Sequence, residues 1–105
     1  MESFTLTLPA SGRLDAAGAD TLCGVVSSGN LEVLVEGDGP ADGCEIVVNT
    51  SALGFRDVWQ AVLADFAGRH PVAGLRLSIN DTGATPAVVS LRLDQAFEQY
   101  RGRAA

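Results

Sequence analysis

Cys23-Gly-Val-Val-Ser-Ser-Gly-Asn-Leu-Glu-Val-Leu-Val-Glu36 sets two apolar, β-branched runs on either side of a polar break, Ser27-Ser28-Gly29-Asn30. β-Branched side chains suit a pleated, half-buried surface. Serine and asparagine bond their own backbone at turns, and glycine tolerates positive φ. The stretch predicts a strand over Leu22 to Ser27, a tight turn, and a second strand over Leu31 to Glu36. One or two serine hydroxyls are then held at an exposed tip between ordered elements. Nothing local activates them: the chain has one histidine, far off in sequence, and a serine without an adjacent base is a poor nucleophile. On these residues alone Ser28 is a turn former.

Outward from this pair, Phe4-Thr-Leu-Thr-Leu8 alternates apolar and polar residues as a half-buried strand does, and Pro9 ends it. Ser11 to Asp20 has only Leu14 as an anchor and reads as a loop or, failing that, a short helix. Gly37-Asp-Gly-Pro-Ala-Asp-Gly43 is a loop. Its glycines imitate a phosphate cradle only superficially, because no helix follows to direct a dipole at an anion. Cys44-Glu-Ile-Val-Val-Asn49 is another strand. The period then changes: Phe55, Trp59, Val62/Leu63 and Phe66 recur every three to four residues, one apolar helix face. Ser51 or Gly54 should begin this helix and Gly68 end it. Trp59 belongs to the core, and His70, before Pro71, is a solvated or capping residue with no partner that would make it a base. Leu75-Arg-Leu-Ser-Ile79 alternates cleanly, Asn80 to Gly83 turns, and Thr85-Pro86 opens a last helix with a capping hydroxyl. Val89, Leu93, Ala96/Phe97 and Tyr100 give its buried stripe; Arg92, Asp94, Glu98 and Gln99 its wet face.

Isolated helices of this length are marginal in water, so both stripes must dock on the sheet. The expected fold is α+β: a two-layer sandwich, with a mainly antiparallel sheet of four to five strands and two helices on one face.

The whole chain sets bounds. Its 105 residues give room for one domain, 1–105, and 47% apolar residues with a net charge of −6 suit a folded soluble chain. There is no lysine and the seven arginines are scattered, which argues against nucleic acid as a partner, since phosphate neutralisation needs clustered cations. Cys23 and Cys44 have no Cys-x-x-Cys or His/Cys company, so they read as buried free thiols and not as a zinc site. Met1 to Thr5 lacks a secretory pattern, and no apolar run approaches the roughly 20 residues of a spanning helix. A cytoplasmic protein without a membrane partner is expected. Neither a Ser-His-Asp set, nor paired carboxylates, nor a metal-ligand cluster stands out.

Val26-Ser27-Ser28-Gly29-Asn30-Leu31-Glu32-Val33-Leu34 resembles the Ser-Gly-Asp-Leu-Glu-Val-Leu segment of the malonate decarboxylase acyl carrier proteins, the delta subunits. Asn80-Asp-Thr-Gly-Ala-Thr-Pro-Ala-Val-Val-Ser-Leu-Arg-Leu-Asp-Gln95 resembles that family's second signature, and Trp59-Gln60-Ala61 also fits. Together the resemblance covers most of the chain. It implies a non-catalytic carrier in which the serine directly before the glycine, Ser28, is joined through a phosphodiester to 2'-(5''-phosphoribosyl)-3'-dephospho-CoA, with Gly29 in support. The terminal thiol of that group holds acetyl and malonyl as thioesters. Acyl transfer and decarboxylation then fall to partner subunits, and attachment to a dedicated transferase.

Two positions depart from the family pattern. Asn30 stands where aspartate is usual, and Ser27, where glycine is usual, adds an alternative attachment hydroxyl. The citrate lyase gamma chain is a related carrier, but the second signature and the extension before the serine favour malonate decarboxylase. An unmodified scaffold subunit is a competing reading; a stand-alone enzyme would need a pocket with perturbed acids or bases. Asp81 is either a turn-forming side chain or, as the second signature suggests, part of a loop beside the modified serine or a partner.

Overall fold

Five strands and two helices follow one another as β1 (Glu2–Pro9), β2 (Thr21–Gly24), β3 (Leu31–Glu36), β4 (Gly43–Thr50), α1 (Arg56–Arg69), β5 (Leu75–Asp81) and α2 (Pro86–Gly102). The computed structural model describes residues 1–10, 12–14 and 18–102, so part of the Ser11 to Asp20 loop expectation lies outside the described residues. The strands form one sheet in the order β1-β4-β5-β3-β2. Every neighbouring pair is antiparallel except the central β4 and β5, which run parallel with α1 as their crossover.

Period-two alternation fixes which residues the sheet buries. Register places Phe4, Val48, Ile79, Val33 and Cys23 in one row across all five strands, and Leu6, Ile46, Leu77, Val35 and Thr21 in the next. Both rows are buried beneath the two helices. Trp59, Leu63 and Phe66 of α1 and Val89, Leu93, Ala96, Phe97 and Tyr100 of α2 complete that core. α2 lies on β2 and β3, while α1 packs beside α2 and reaches β1. The fold is the α+β arrangement expected, a mostly antiparallel sheet with two helices.

The opposite face carries polar ladders. Asn80 Nδ2 donates to Glu32 Oε1 at 2.8 Å, Asn49 Nδ2 to Asn80 Oδ1 at 3.3 Å, and Ser3 Oγ to Asn49 Oδ1 at 2.7 Å. Two rows away, Arg76 Nε donates to Glu45 at 2.9 Å and Nη1 to Asp38 at 3.2 Å. Both cysteines are free and buried. Burial, and secondarily the neighbouring Glu45 carboxylate, pushes the Cys44 thiol up to about 12. No helix among the described residues is long and apolar enough to cross a membrane.

Three local expectations need correction. β2 ends at Gly24, not Ser27. Gly24 has φ +94°, and a Cβ there would collide with the Leu31 carbonyl and the Arg92 side chain, so the chain leaves the ladder and Val25 and Val26 become exposed. α1 begins at Arg56, later than Ser51 or Gly54, and runs one residue past Gly68. Ser51 N donates to the Asp81 carbonyl at 3.1 Å and Ala52 N to Thr50 Oγ1 at 3.1 Å, which holds this segment to the end of the sheet before the helix can start. His70 does take the C-cap position of α1, but it is not simply solvated. Its ring packs 5.1 Å from Phe66 and 4.8 Å from Phe97, with Nε2 2.9 Å from Asp94 Oδ1.

Candidate functional site

The serine tip closes as a β-turn. Asn30 N donates to the Ser27 carbonyl at 2.9 Å, Gly29 has φ +74°, and among the described residues only glycines have positive φ. With Ser28 second and Gly29 third, this is the dihedral signature of a type II turn, whose third position calls for glycine. Ser27, Ser28 and Gly29 are all exposed. Chain neighbours aside, a Cβ placed on Gly29 would meet no atom within 4 Å, so the turn is open to solvent at Gly29.

The turn is fastened from far along the chain. β3 pairs with β5 so that Leu31 faces Asp81, which brings the turn against the β5–α2 loop. The Gly29 N–H donates to the Thr82 carbonyl at 2.9 Å, and the Thr82 N–H to the Asn30 carbonyl at 3.0 Å. Thr82 Oγ1 lies within hydrogen-bond reach of two carbonyls, that of Asn30 at 2.9 Å and that of Ser27, and its single proton serves one of them at a time. Asn30 Oδ1 accepts from the Leu31 N–H at 2.8 Å and from Arg92 Nη2 at 3.1 Å. Arg92 Nη1 donates to Gln95 at 2.6 Å, so among the described residues both bonded ends of the guanidinium meet neutral partners. Sequence reasoning missed Thr82 and placed Arg92 on the wet face of its helix. Both lie within the second signature, Asn80 to Gln95, and that was the available signal.

Asp81 fulfils the turn-forming expectation. It is 5% exposed, and its carboxylate accepts from the N–H groups of Ala84 at 2.9 Å and Gly83 at 3.2 Å and from the Thr50 hydroxyl at 2.8 Å. The loop it shapes is the same loop that holds the serine turn. Beyond that loop, between the first turns of the helices, lies an apolar cavity of about 310 Å³ walled by Phe55, Trp59, Val62, Ala84, Pro86 and Val89, with Asp81 also in its lining. Trp59 is a core residue, 5% exposed, as expected.

Among the described residues no group of three or more His, Cys, Asp or Glu side chains could hold a metal ion. The His70–Asp94 contact involves neither serine of the turn. The tip can therefore present a hydroxyl on a stiff support but has no base to activate it.

Comparison with known proteins gives the geometry a context. The family model described as malonate decarboxylase delta subunit matches residues 19–100. The malonate decarboxylase acyl carrier protein of Acinetobacter calcoaceticus is 61% identical over 84 residues, covering 80% of this chain and 82% of the relative. That of Burkholderia cepacia is 58% identical over 96 residues, covering 91% and 87%. Among solved structures, a chain of a Pseudomonas malonate decarboxylase hetero-tetramer in complex with malonate superposes with a TM-score of 0.82 at 42% identity, over 95% of this chain and 99% of that one.

Proposed function

The chain belongs to the malonate decarboxylase delta subunit family, and from that membership we propose that it is the acyl carrier of a malonate decarboxylase, a single carrier domain over residues 1–105 working in the cytoplasm, with phosphoribosyl-dephospho-CoA attached at Ser28. The observation that carries the assignment is the exposed Ser28 on a glycine turn that is open to solvent at Gly29. When bound, that group supplies a thiol on which an acyl unit is carried as a thioester.

The chain's own residues have simpler work. Ser28 Oγ makes the bond to phosphorus. Gly29, without a side chain, leaves room for a nucleotide-sized donor. Thr82 and Asn30 keep the turn shut through backbone-directed bonds, and the Arg92 guanidinium, bonded to the side chain of Asn30, supplies positive charge near a new phosphodiester. Charge-assisted bonds to phosphate are stronger than neutral ones. A carrier needs no catalytic constellation, because tethering replaces diffusion with an effective concentration in the mM range for short flexible links. Its partners are the subunits that transfer and decarboxylate the acyl unit and the transferase that attaches the group. The related chain belongs to a Pseudomonas malonate decarboxylase hetero-tetramer, which supports a life inside a complex, and a net charge of −6 favours steering to basic docking patches.

Incubating the apo protein and its variants with the attaching transferase and donor, and reading intact mass, tests this. Ser28→Ala should show no mass gain, while Ser27→Ala, whose hydroxyl is the alternative, should label as the parent does. Full labelling of Ser28→Ala would overturn the assignment and move it to Ser27.

A further inference from the structure

We propose that the apolar cavity beside the serine turn is a binding site for a short, uncharged acyl thioester, the acetyl end of the arm on Ser28, and that Asp81 excludes the malonyl end from it. The proposal deepens the carrier reading above and rests on it for the identity of the arm.

Position comes first. The cavity and the serine turn share a wall: Thr82 accepts the Gly29 N–H, and the next residues, Gly83 and Ala84, line the cavity. Leu31, Asp81 and Thr50 are paired across β3, β5 and β4, so the start of β3 and the carboxyl ends of the two parallel strands meet at one end of the sheet. From there α1 returns on the β1 side and α2 runs over β3 and β2. A crevice outside the carboxyl ends of parallel strands, where the following helices diverge, is a favoured place for ligands in open sheets.

The lining selects the chemistry. Phe55, Trp59, Val62, Pro86 and Val89 offer carbon, and about 310 Å³ is at the small end of ligand pockets, which run roughly 300–1,000 Å³. The mouth is open, with Phe55 52% and Val58 42% exposed, so a ligand entering there would cover apolar surface that water now meets. The polar element of the lining is anionic. The Asp81 oxygens take three donors, all neutral: Thr50 Oγ1, Gly83 N and Ala84 N. Among the described residues no cation offsets that carboxylate within ion-pair distance. A malonyl thioester brings a second carboxylate, and like charges brought together out of water repel strongly. Loss of carbon dioxide with uptake of a proton turns malonyl into acetyl and removes that charge. The cavity therefore separates the two loaded forms: acetyl shelters in it, and malonyl stays outside.

The chain's single tryptophan, Trp59, lines the cavity and serves as the reporter. The apo protein, unmodified at Ser28, is titrated with S-acetyl-N-acetylcysteamine and, separately, with its S-malonyl counterpart. The acetyl probe should give a saturable change in Trp59 emission and shift the Val62 and Val89 methyl resonances, with the malonyl probe at least tenfold weaker. Val62→Phe, which fills the cavity, should remove the acetyl response, and Ala52→Leu at another wall provides a second filled cavity if that variant melts early. Asp81→Asn should narrow the tenfold preference. Absence of both signals with the acetyl probe, equal affinity for the two probes, or a response only when partner subunits are added would each overturn the proposal; the last would make the cavity a protein-docking groove. The probes are free and Ser28 is unmodified, so failure here leaves the mass-gain test intact, and failure of that test leaves this one readable.

Discussion

Cys44 illustrates how much one buried side chain ties the fold to solvent conditions. Its thiol is fully buried and held up at about 12 by burial first and by Glu45 second, against an ordinary value of 9.0. The folded value exceeds the unfolded one, so the stabilising effect is complete below pH 9 and is lost as pH rises towards 12. The slope is up to about 1.4 kcal/mol per pH unit. Urea unfolding from pH 8 to 11 should show a steeper alkaline loss in the parent than in Cys44→Ala; parallel slopes would assign that loss to other groups. Burial of the thiols was legible in their apolar neighbours. So was the turn at Ser28, because serine and glycine chemistry is local. Arg92 was not legible: helical spacing put it on the solvent face, and its partner Asn30 lies 62 residues away, a separation that no periodicity encodes.

Elements were legible where a period was long and unbroken, as in β3, β5 and the buried stripe of α2. They failed at ends decided by other elements. β2 stops where a Gly24 Cβ would strike Leu31 and Arg92, and α1 starts late because Ser51 and Ala52 are bonded to the sheet. Strand order and the parallel β4–β5 pair followed from pairings across dozens of residues, which composition does not reveal. The β5–α2 loop carries the element-scale prediction. Thr82→Val removes a hydroxyl within reach of the Ser27 and Asn30 carbonyls but keeps both backbone bonds to the turn. The hydroxyl has one proton to give, so at about 0.5–1.5 kcal/mol for one hydrogen bond the variant should lose about 0.5–1.5 kcal/mol, and amide exchange at Gly29 should quicken. Unchanged exchange at Gly29 would show that the backbone bonds alone hold the turn.

At the scale of the whole molecule, the core and the serine turn are separate structures. Ser27, Ser28 and Gly29 are exposed and none belongs to the apolar cluster that joins sheet and helices. The apo protein should therefore unfold in one cooperative transition with intact near-ultraviolet signal, and attachment of the group should move its melting temperature little. A molten apo state, with far-ultraviolet signal alone, would contradict this separation.

The fastening of the turn also sets a time order. Thr82 follows Ser27 by 55 residues, and although β3 can pair with β2 at once, its other edge waits for β5, the last strand made. A chain emerging from the ribosome at about 5–20 residues per second exposes its serines seconds before Thr82 and Arg92 exist to hold them. Until then the tip has only its own Asn30–Ser27 bond and the β2–β3 pairing beside it, and non-local pairings such as β3 with β5 are the slow ones to form. A reaction at Ser28 that needed the fully fastened turn would be denied to nascent and truncated chains. The bonds that stiffen the tip thus exist only in a chain finished through Arg92 and folded.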